Sequence, residues 1–262
     1  MSEAEIVLAL RGAGCVFAED EARLLIDAAA TRADLETNVA RRVAGEPLEV
    51  ILGWAEFGGL RILIDPGVFV PRQRTMLLIE RALQAARPTD VVVDLCCGSG
   101  ALGAVLAARV PGIELHAADV EPAAVACAHR NLDAVGQVWQ GDLFGALPAE
   151  LAGRVDILLV NAPYVPTLAI GMMPPEARDY EPLVALDGGT DGLDIHRRVA
   201  ADAARWLSGT GTLLIEVSEE QAPVSAALFE AVGLVATIIQ DEELGATAIQ
   251  ATRRQAILSS SR

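Results

Sequence analysis

The chain has 262 residues, 52% of them hydrophobic, and a formal net charge of −16 from 36 acidic and 20 basic side chains. Such a composition excludes a disordered chain, and its negative field works against general binding of nucleic acid. No run of eighteen apolar residues occurs, and the opening Met1-Ser2-Glu3-Ala4-Glu5 is acidic, so neither a membrane span nor a secretory signal is expected and the expected location is cytoplasmic.

Apolar residues recur at helical spacing over residues 1–45, as in Ile6, Leu8, Leu10 and then Ala22, Leu24, Leu25, Ala28 and Ala29, which predicts a small helical bundle. Residues 48–70 turn to β-branched and aromatic types broken by Gly53, Gly58, Gly59 and Gly67, the pattern of a hairpin or two short strands. A helix over 75–86 must stop before Pro88. From residue 91 the rhythm is strand, turn, helix: strands over 91–95, 113–118, near 138 and 155–160, with helices opening at 101 and 122. Nearly continuous apolar strands between helices signal a parallel sheet covered on both faces. A strand over 212–217, a helix over 219–231 and a closing pair over 234–239 and 246–251 finish the pattern, and Ser259-Ser260-Ser261-Arg262 reads as a frayed tail. The fold class is therefore α/β, a doubly wound Rossmann-like domain behind a small helical one.

Four cysteines without a C-x-x-C pair, and His116, His129 and His196 far apart, suggest neither disulfides nor a metal site. Trp54, Phe57, Trp139 and Trp206 read as core. The informative stretch is Asp94-Leu95-Cys96-Cys97-Gly98-Ser99-Gly100, which follows an apolar strand and opens a helix, so its glycines allow a tight turn and close approach to a ligand. The letters from Gly98 to Gly103 also satisfy G-x-G-x-x-G, with Asp119 about 20 residues on, so a nicotinamide-type or non-catalytic nucleotide module is one reading. An acid at position 94 repels pyrophosphate, however, and suits the cationic amino acid end of S-adenosylmethionine. Asp119 then fits a ribose diol, and Asp142-Leu143 the adenine. The candidate cofactor contacts are Asp94, Cys97, Gly98, Gly100, Asp119, Val120, Asp142, Leu143 and Asn161.

After the fourth strand comes Asn161-Ala162-Pro163-Tyr164, at the position facing the cofactor's methyl group across such a sheet. Standing alone it would be an ordinary strand-ending turn. Together with Arg41-Arg42, Gly45-Glu46-Pro47-Leu48, Ile51-Leu52-Gly53, Glu56-Phe57, Val70-Pro71-Arg72, Gly141-Asp142-Leu143-Phe144, Glu181-Pro182-Leu183, Ala185-Leu186 and Asp191-Gly192-Leu193-Asp194, it resembles the HemK/PrmC family of protein-glutamine N5-methyltransferases, which modify peptide-chain release factors. The resemblance runs along nearly the whole chain. It implies a helical substrate-recognition domain (1–47), a β-hairpin linker (48–74) and a seven-stranded S-adenosylmethionine-dependent methyltransferase domain (75–262).

It further implies that Asn161 binds the glutamine amide and Tyr164 walls its pocket, which makes Asn161, Pro163 and Tyr164 the candidate catalytic residues and Asn161, Ala162 and Tyr164 the substrate contacts. A protein substrate such as a release factor is the implied partner, with no membrane and no direct nucleic-acid contact. Two positions depart from the family pattern: Ala162 replaces the first proline of N-P-P-Y, and Arg74 stands where P-R-x-E-T has glutamate. They keep a second acceptor class open, an amine on a small molecule or nucleobase. The segment 165–190, rich in proline and glycine, is expected to be a flap over the substrate.

Overall fold

The computed structural model describes residues 1–254; the tail expected to fray lies outside them. The chain opens with α1 (Glu3–Gly12), α2 (Ala18–Ala28), α3 (Arg32–Val43) and the short α4 (Leu48–Leu52). Ser2 and Glu5 form a reciprocal capping box at the start of α1, and Thr31 caps α3 by accepting from the Asp34 backbone N–H. Ile6, Leu10, Ala18, Ala22, Leu25 and Val39 meet in a core of their own. Residues 48–52 are helical, where the sequence predicts extended chain. Pro47 presets the entry and Gly53, at φ +78°, supplies the left-handed C-cap that ends the turn. The predicted hairpin follows: β1 (Trp54–Phe57) and β2 (Leu60–Leu63) pair antiparallel around Gly58 and Gly59, both at positive φ as a two-residue turn demands.

Next come α5 (Met76–Ala85), β3 (Val91–Leu95), α6 (Ala101–Arg109), β4 (Glu114–Asp119), α7 (Pro122–Leu132), β5 (Gly136–Gln140), β6 (Val155–Val160), α8 (Pro175–Tyr180), α9 (Asp194–Trp206), β7 (Leu207–Glu216), α10 (Ala222–Ala231), β8 (Leu234–Asp241) and β9 (Ala246–Arg253). The strands form one seven-stranded sheet in the order β5-β4-β3-β6-β7-β9-β8. It is parallel as far as β7, and β9 runs antiparallel between β7 and β8. Alternate residues of each strand feed opposite faces: Val92, Ile157 and Leu159 enter the core beneath α5, α6 and α7, while Val93, Leu95 and Leu158 join that beneath α9 and α10. The chain winds outward from β3 to β5, then returns to β6. The direction of winding therefore reverses between β3 and β6, and such a reversal opens a crevice at the carboxyl ends of the strands.

Two boundaries differ most from the sequence pattern. Strand β7 begins at Leu207 rather than 212, with a register irregularity against β6 and two glycines, Gly209 and Gly211, that hide its start. Helix α10 begins at Ala222, because Ser218 and Gln221 first form a turn.

Candidate functional site

A cavity of about 430 Å³ occupies the crevice, walled by the glycine loop, the tips of β4, β5 and β6, the hairpin exit and the segment 165–190. In the glycine loop Cys96 adopts φ +59° and Gly98 and Gly100 adopt φ +54° and +77°. A non-glycine residue held there costs about 1–2 kcal/mol, strain of a kind that gathers at ligand sites. Gly100 must be glycine on a second count, since a Cβ would sit 2.9 Å from Leu132 Cδ1. Gly103 is the point where α6 packs on β4; a Cβ there would meet Leu115 at 3.2 Å. Positive φ at Gly98 and packing at Gly100 and Gly103 explain the G-x-G-x-x-G letters without a dinucleotide.

Asp119, at the end of β4, faces the cavity with both carboxylate oxygens oriented by backbone donors: Gly98 N–H gives to Oδ2 at 2.9 Å and Glu121 N–H to Oδ1 at 3.0 Å. Burial raises its pKa against the opposing pull of these N–H groups. Each oxygen keeps a lone pair for a hydroxyl, which is the donor geometry of a vicinal diol. Asp94 is placed differently. Fully buried, it lies beneath the loop rather than on the cavity wall, with Oδ2 accepting from Gly103 N–H at 2.9 Å and Oδ1 left without a partner among the described residues. Burial, aided by Asp119, pushes its pKa up to about 7 despite the Gly103 bond. Asp94 thus anchors α6 to β3 and reaches the cavity through the loop.

Cys97, Gly98, Val120, Asp142 and Leu143 line the cavity, whereas Gly100 supports the loop from behind. Leu143 is a second strained residue, at φ +48°, and Asp142 is met by Arg198 of α9 at 2.5 Å, a partner the sequence did not indicate. Burial raises the pKa of Cys96 and Cys97, so both remain thiols at neutral pH. Among the described residues no cluster of His, Cys, Asp and Glu is placed to hold a metal ion.

Opposite Asp119, at the tip of β6, stand Asn161, Ala162, Pro163 and Tyr164, all on the cavity wall. The Asn161 amide nitrogen lies 3.5 Å from Thr75 Oγ1, and its carbonyl oxygen accepts from no donor among the described residues. The Tyr164 hydroxyl donates to Glu216 Oε1 at 2.9 Å and accepts from Arg74 at 2.8 Å; Arg74 Nε also donates to Glu216 at 3.0 Å. Burial foremost, with Glu216 beside it, raises the Tyr164 pKa, so the phenol stays protonated. Gln221 donates to the Tyr164 and Asp191 carbonyls at 2.9 and 2.8 Å. Gly192 explains its own motif: a Cβ there would lie 2.2 Å from the Tyr164 oxygen.

The segment 165–190 carries α8 and two 3-10 turns, and closes at its neck through the bridge between Val165 and Asp187. Glu181 pins it to the hairpin exit, accepting from Arg72 at 2.5 Å and Val70 N–H at 3.3 Å. Just before Glu181, α8 reaches the helical domain, where the buried Arg42 pairs with both Glu21 and Glu176 at 2.6 Å and Tyr180 donates to the Ala44 carbonyl. Of these partners, Arg74 stands out along the chain only as a departure from the family pattern, and Glu216 escapes a sequence reading, although it ends an apolar strand in the same way as Asp119.

Residues 59–173 match the family described as Methyltransferase small domain. The chain is 37% identical over 198 residues to a release factor glutamine methyltransferase of Geobacter sulfurreducens, covering 74% of this chain and 69% of that protein. It is also 36% identical over 203 residues to a 4-amino-L-phenylalanine/4-methylamino-L-phenylalanine methyltransferase of Streptomyces pristinaespiralis, covering 74% and 69%. The chain spans about two thirds of the length of the release factor glutamine methyltransferases it matches. The crystal structure of a methyltransferase from Pyrococcus furiosus superposes with a TM-score of 0.55 at 16% identity, over 84% of this chain and 96% of that one, and shows a shared fold.

Proposed function

We infer from one premise, that this chain belongs to the release factor glutamine methyltransferase family, that its cavity methylates the side-chain amide nitrogen of a glutamine in a protein. The methyl donor of the family is S-adenosylmethionine. One observation carries the reading: Asn161-Ala162-Pro163-Tyr164 and the Gly98–Asp119 contact stand on opposite walls of a single cavity at the sheet's switch point. The cavity fits the donor by the chemistry of its acceptors. Asp119 is oriented for a ribose diol, the loop backbone allows close approach, and neither Cys96 nor Cys97 is a thiolate that a sulfonium would alkylate.

When bound, S-adenosylmethionine supplies an electrophilic methyl carbon whose bond to sulfur breaks as the new bond to nitrogen forms. The residues of the acceptor wall must overcome a poor nucleophile, because an amide lone pair is delocalised. The Asn161 carbonyl and the backbone carbonyl of Ala162 can each accept a hydrogen from the amide NH₂, fixing the nitrogen and turning its lone pair toward the methyl carbon. Pro163 restricts Ala162 to the extended region and so holds that carbonyl in place. Tyr164, fixed by Arg74 and Glu216, walls the pocket. The nitrogen becomes acidic only once methylated and then gives its proton to water, so no general base is required beforehand.

On this reading residues 1–47 recognise the protein substrate, 48–74 link, and 75–262 catalyse. The partner we favour is a peptide-chain release factor in the cytoplasm. No helix of the described residues is long and apolar enough to cross a membrane, and the charge of −16 disfavours a nucleic acid acceptor. A second reading, an aromatic amine on a small molecule, draws support from Arg74 and Ala162 and from similarity to the 4-amino-L-phenylalanine enzyme. Methyl-labelled S-adenosylmethionine offered with a purified release factor, a glutamine peptide and 4-amino-L-phenylalanine separates the two. Label in the first two supports glutamine; label in the amino acid alone overturns it.

A further inference from the structure

A second cavity, of about 590 Å³, shares Arg74 and Tyr164 with the first and is otherwise walled by the exit of β7, residues 216–219, and by the β8–β9 turn, residues 240–247. Four carboxylates line it, those of Glu216, Glu219, Asp241 and Glu242, against the single guanidinium of Arg74. An exposed acidic turn alone would signify only solvated charge. Glu216 is different: its side chain is 4% exposed, Oε1 takes both Arg74 Nε and the Tyr164 hydroxyl, and Oε2 is buried with no partner among the described residues. A buried carboxylate oxygen without a donor is costly, and Arg74, engaged with Oε1 and Tyr164, does not satisfy it. The field left in the cavity is negative, and one oxygen of its deepest acid lacks a donor.

We propose that this second cavity is a subsite for a cationic group, an ammonium or a guanidinium, carried by the methyl acceptor close to the nitrogen that is methylated. The inference rests on the reading that the Asn161–Tyr164 wall receives the acceptor. Tyr164 then divides the two groups of one molecule: the reacting nitrogen beside Asn161, and the cation against Glu216, Asp241 and Glu242. In a protein substrate the cation would be an arginine or lysine neighbouring the glutamine; in a small amino acid it would be the α-ammonium. Arg74 fits this arrangement because its charge is balanced by Glu216, and its place in both walls makes it the hinge between the subsites.

The test has a binding arm and a turnover arm, both on the full chain. Agmatine, which carries a guanidinium but no amide, is titrated into protein saturated with S-adenosylhomocysteine, using wild type and the D241N/E242Q variant. Initial methylation rates are then compared for glutamine peptides flanked by arginine or by its uncharged isostere citrulline. Agmatine is expected to bind wild type and to weaken about fivefold in the variant and at raised salt, as partly exposed ion pairs do. The arginine peptide is expected to be methylated faster than the citrulline peptide, and the variant to lose that preference. Absence of agmatine binding, equal binding to the variant, or equal rates for methylated arginine and citrulline peptides would overturn the subsite. Charge-dependent agmatine binding with no peptide methylated would uphold a cation site while overturning the glutamine acceptor.

Discussion

On the wall that carries Asp119, the bonds that orient the two buried carboxylates join residues close in sequence: Glu121 to Asp119 across 2 positions, Gly103 to Asp94 across 9 and Gly98 to Asp119 across 21; only Asp142 is met from farther off, by Arg198 across 56. On the wall that carries Tyr164 the corresponding bonds span 52 positions to Glu216 and 90 to Arg74, with Arg74 and Glu216 themselves 142 apart. The first wall uses mainly backbone donors and glycine conformations from two strands that are neighbours in sequence and in the sheet. The second is assembled from side chains brought together only by the finished sheet. The difference teaches that a cofactor wall can be kept while the acceptor wall is altered, since changes at Arg74 or Ala162 leave the loop contacts untouched.

The sharpest way to break this division is Asn161→Ala. It removes one preorganised polar group from the acceptor wall, and methyl transfer should fall by about 10²–10³, roughly 3–4 kcal/mol, in a single-turnover assay. Affinity for S-adenosylmethionine should change far less; parallel losses of binding and rate would erase the distinction between the walls.

Asp94 gives the next effect, on stability. Its folded pKa of about 7 lies above the ordinary aspartate value of 3.8, so its favourable contribution is complete below about pH 4 and is lost as pH rises through about 7. The loss is on the order of 4 kcal/mol. Asp94→Asn keeps an acceptor for Gly103 N–H and carries no charge, so urea denaturation should show the variant gaining on wild type from about pH 5 to about pH 8. A constant difference across that range would mean that Asp94 is not buried as described.

Asp119→Ala should weaken S-adenosylmethionine and S-adenosylhomocysteine binding by about 2 kcal/mol in calorimetric titration, the size of a lost charge-assisted hydrogen bond. An unchanged affinity would move the diol contact elsewhere. The smallest effect belongs to Arg74→Gln, which costs about 1 kcal/mol of stability by thermal denaturation, because the guanidinium is 44% exposed and its pairing partly screened. A much larger cost would show that the Arg74–Glu216–Tyr164 ring supports the fold as well as the acceptor.

Strands β3 to β6 and the helices between them are legible in the sequence because their signals are local: apolar runs, glycine at the turn, proline at the helix start. The glycine loop is legible for the same reason. Residues 48–52 are not, since four apolar or β-branched residues in five serve a helix as well as a strand, and Pro47 and Gly53 decide between them. Nor is the insertion of β9 between β7 and β8, which is a choice of partner rather than of conformation. Asp94 and Asp119 both end apolar strands and look alike along the chain. Only the direction of each side chain, one beneath the loop and the other on the cavity wall, tells them apart.

The central claim, that the Asn161 wall presents a glutamine amide to the methyl donor, is tested most directly by fragmentation mass spectrometry of a release factor incubated with S-adenosylmethionine and either wild type or Asn161→Ala. One methyl group is expected on a glutamine side-chain nitrogen with wild type, and a large loss of it with the variant. A methyl group on any other atom, or undiminished glutamine methylation by the variant, would contradict it.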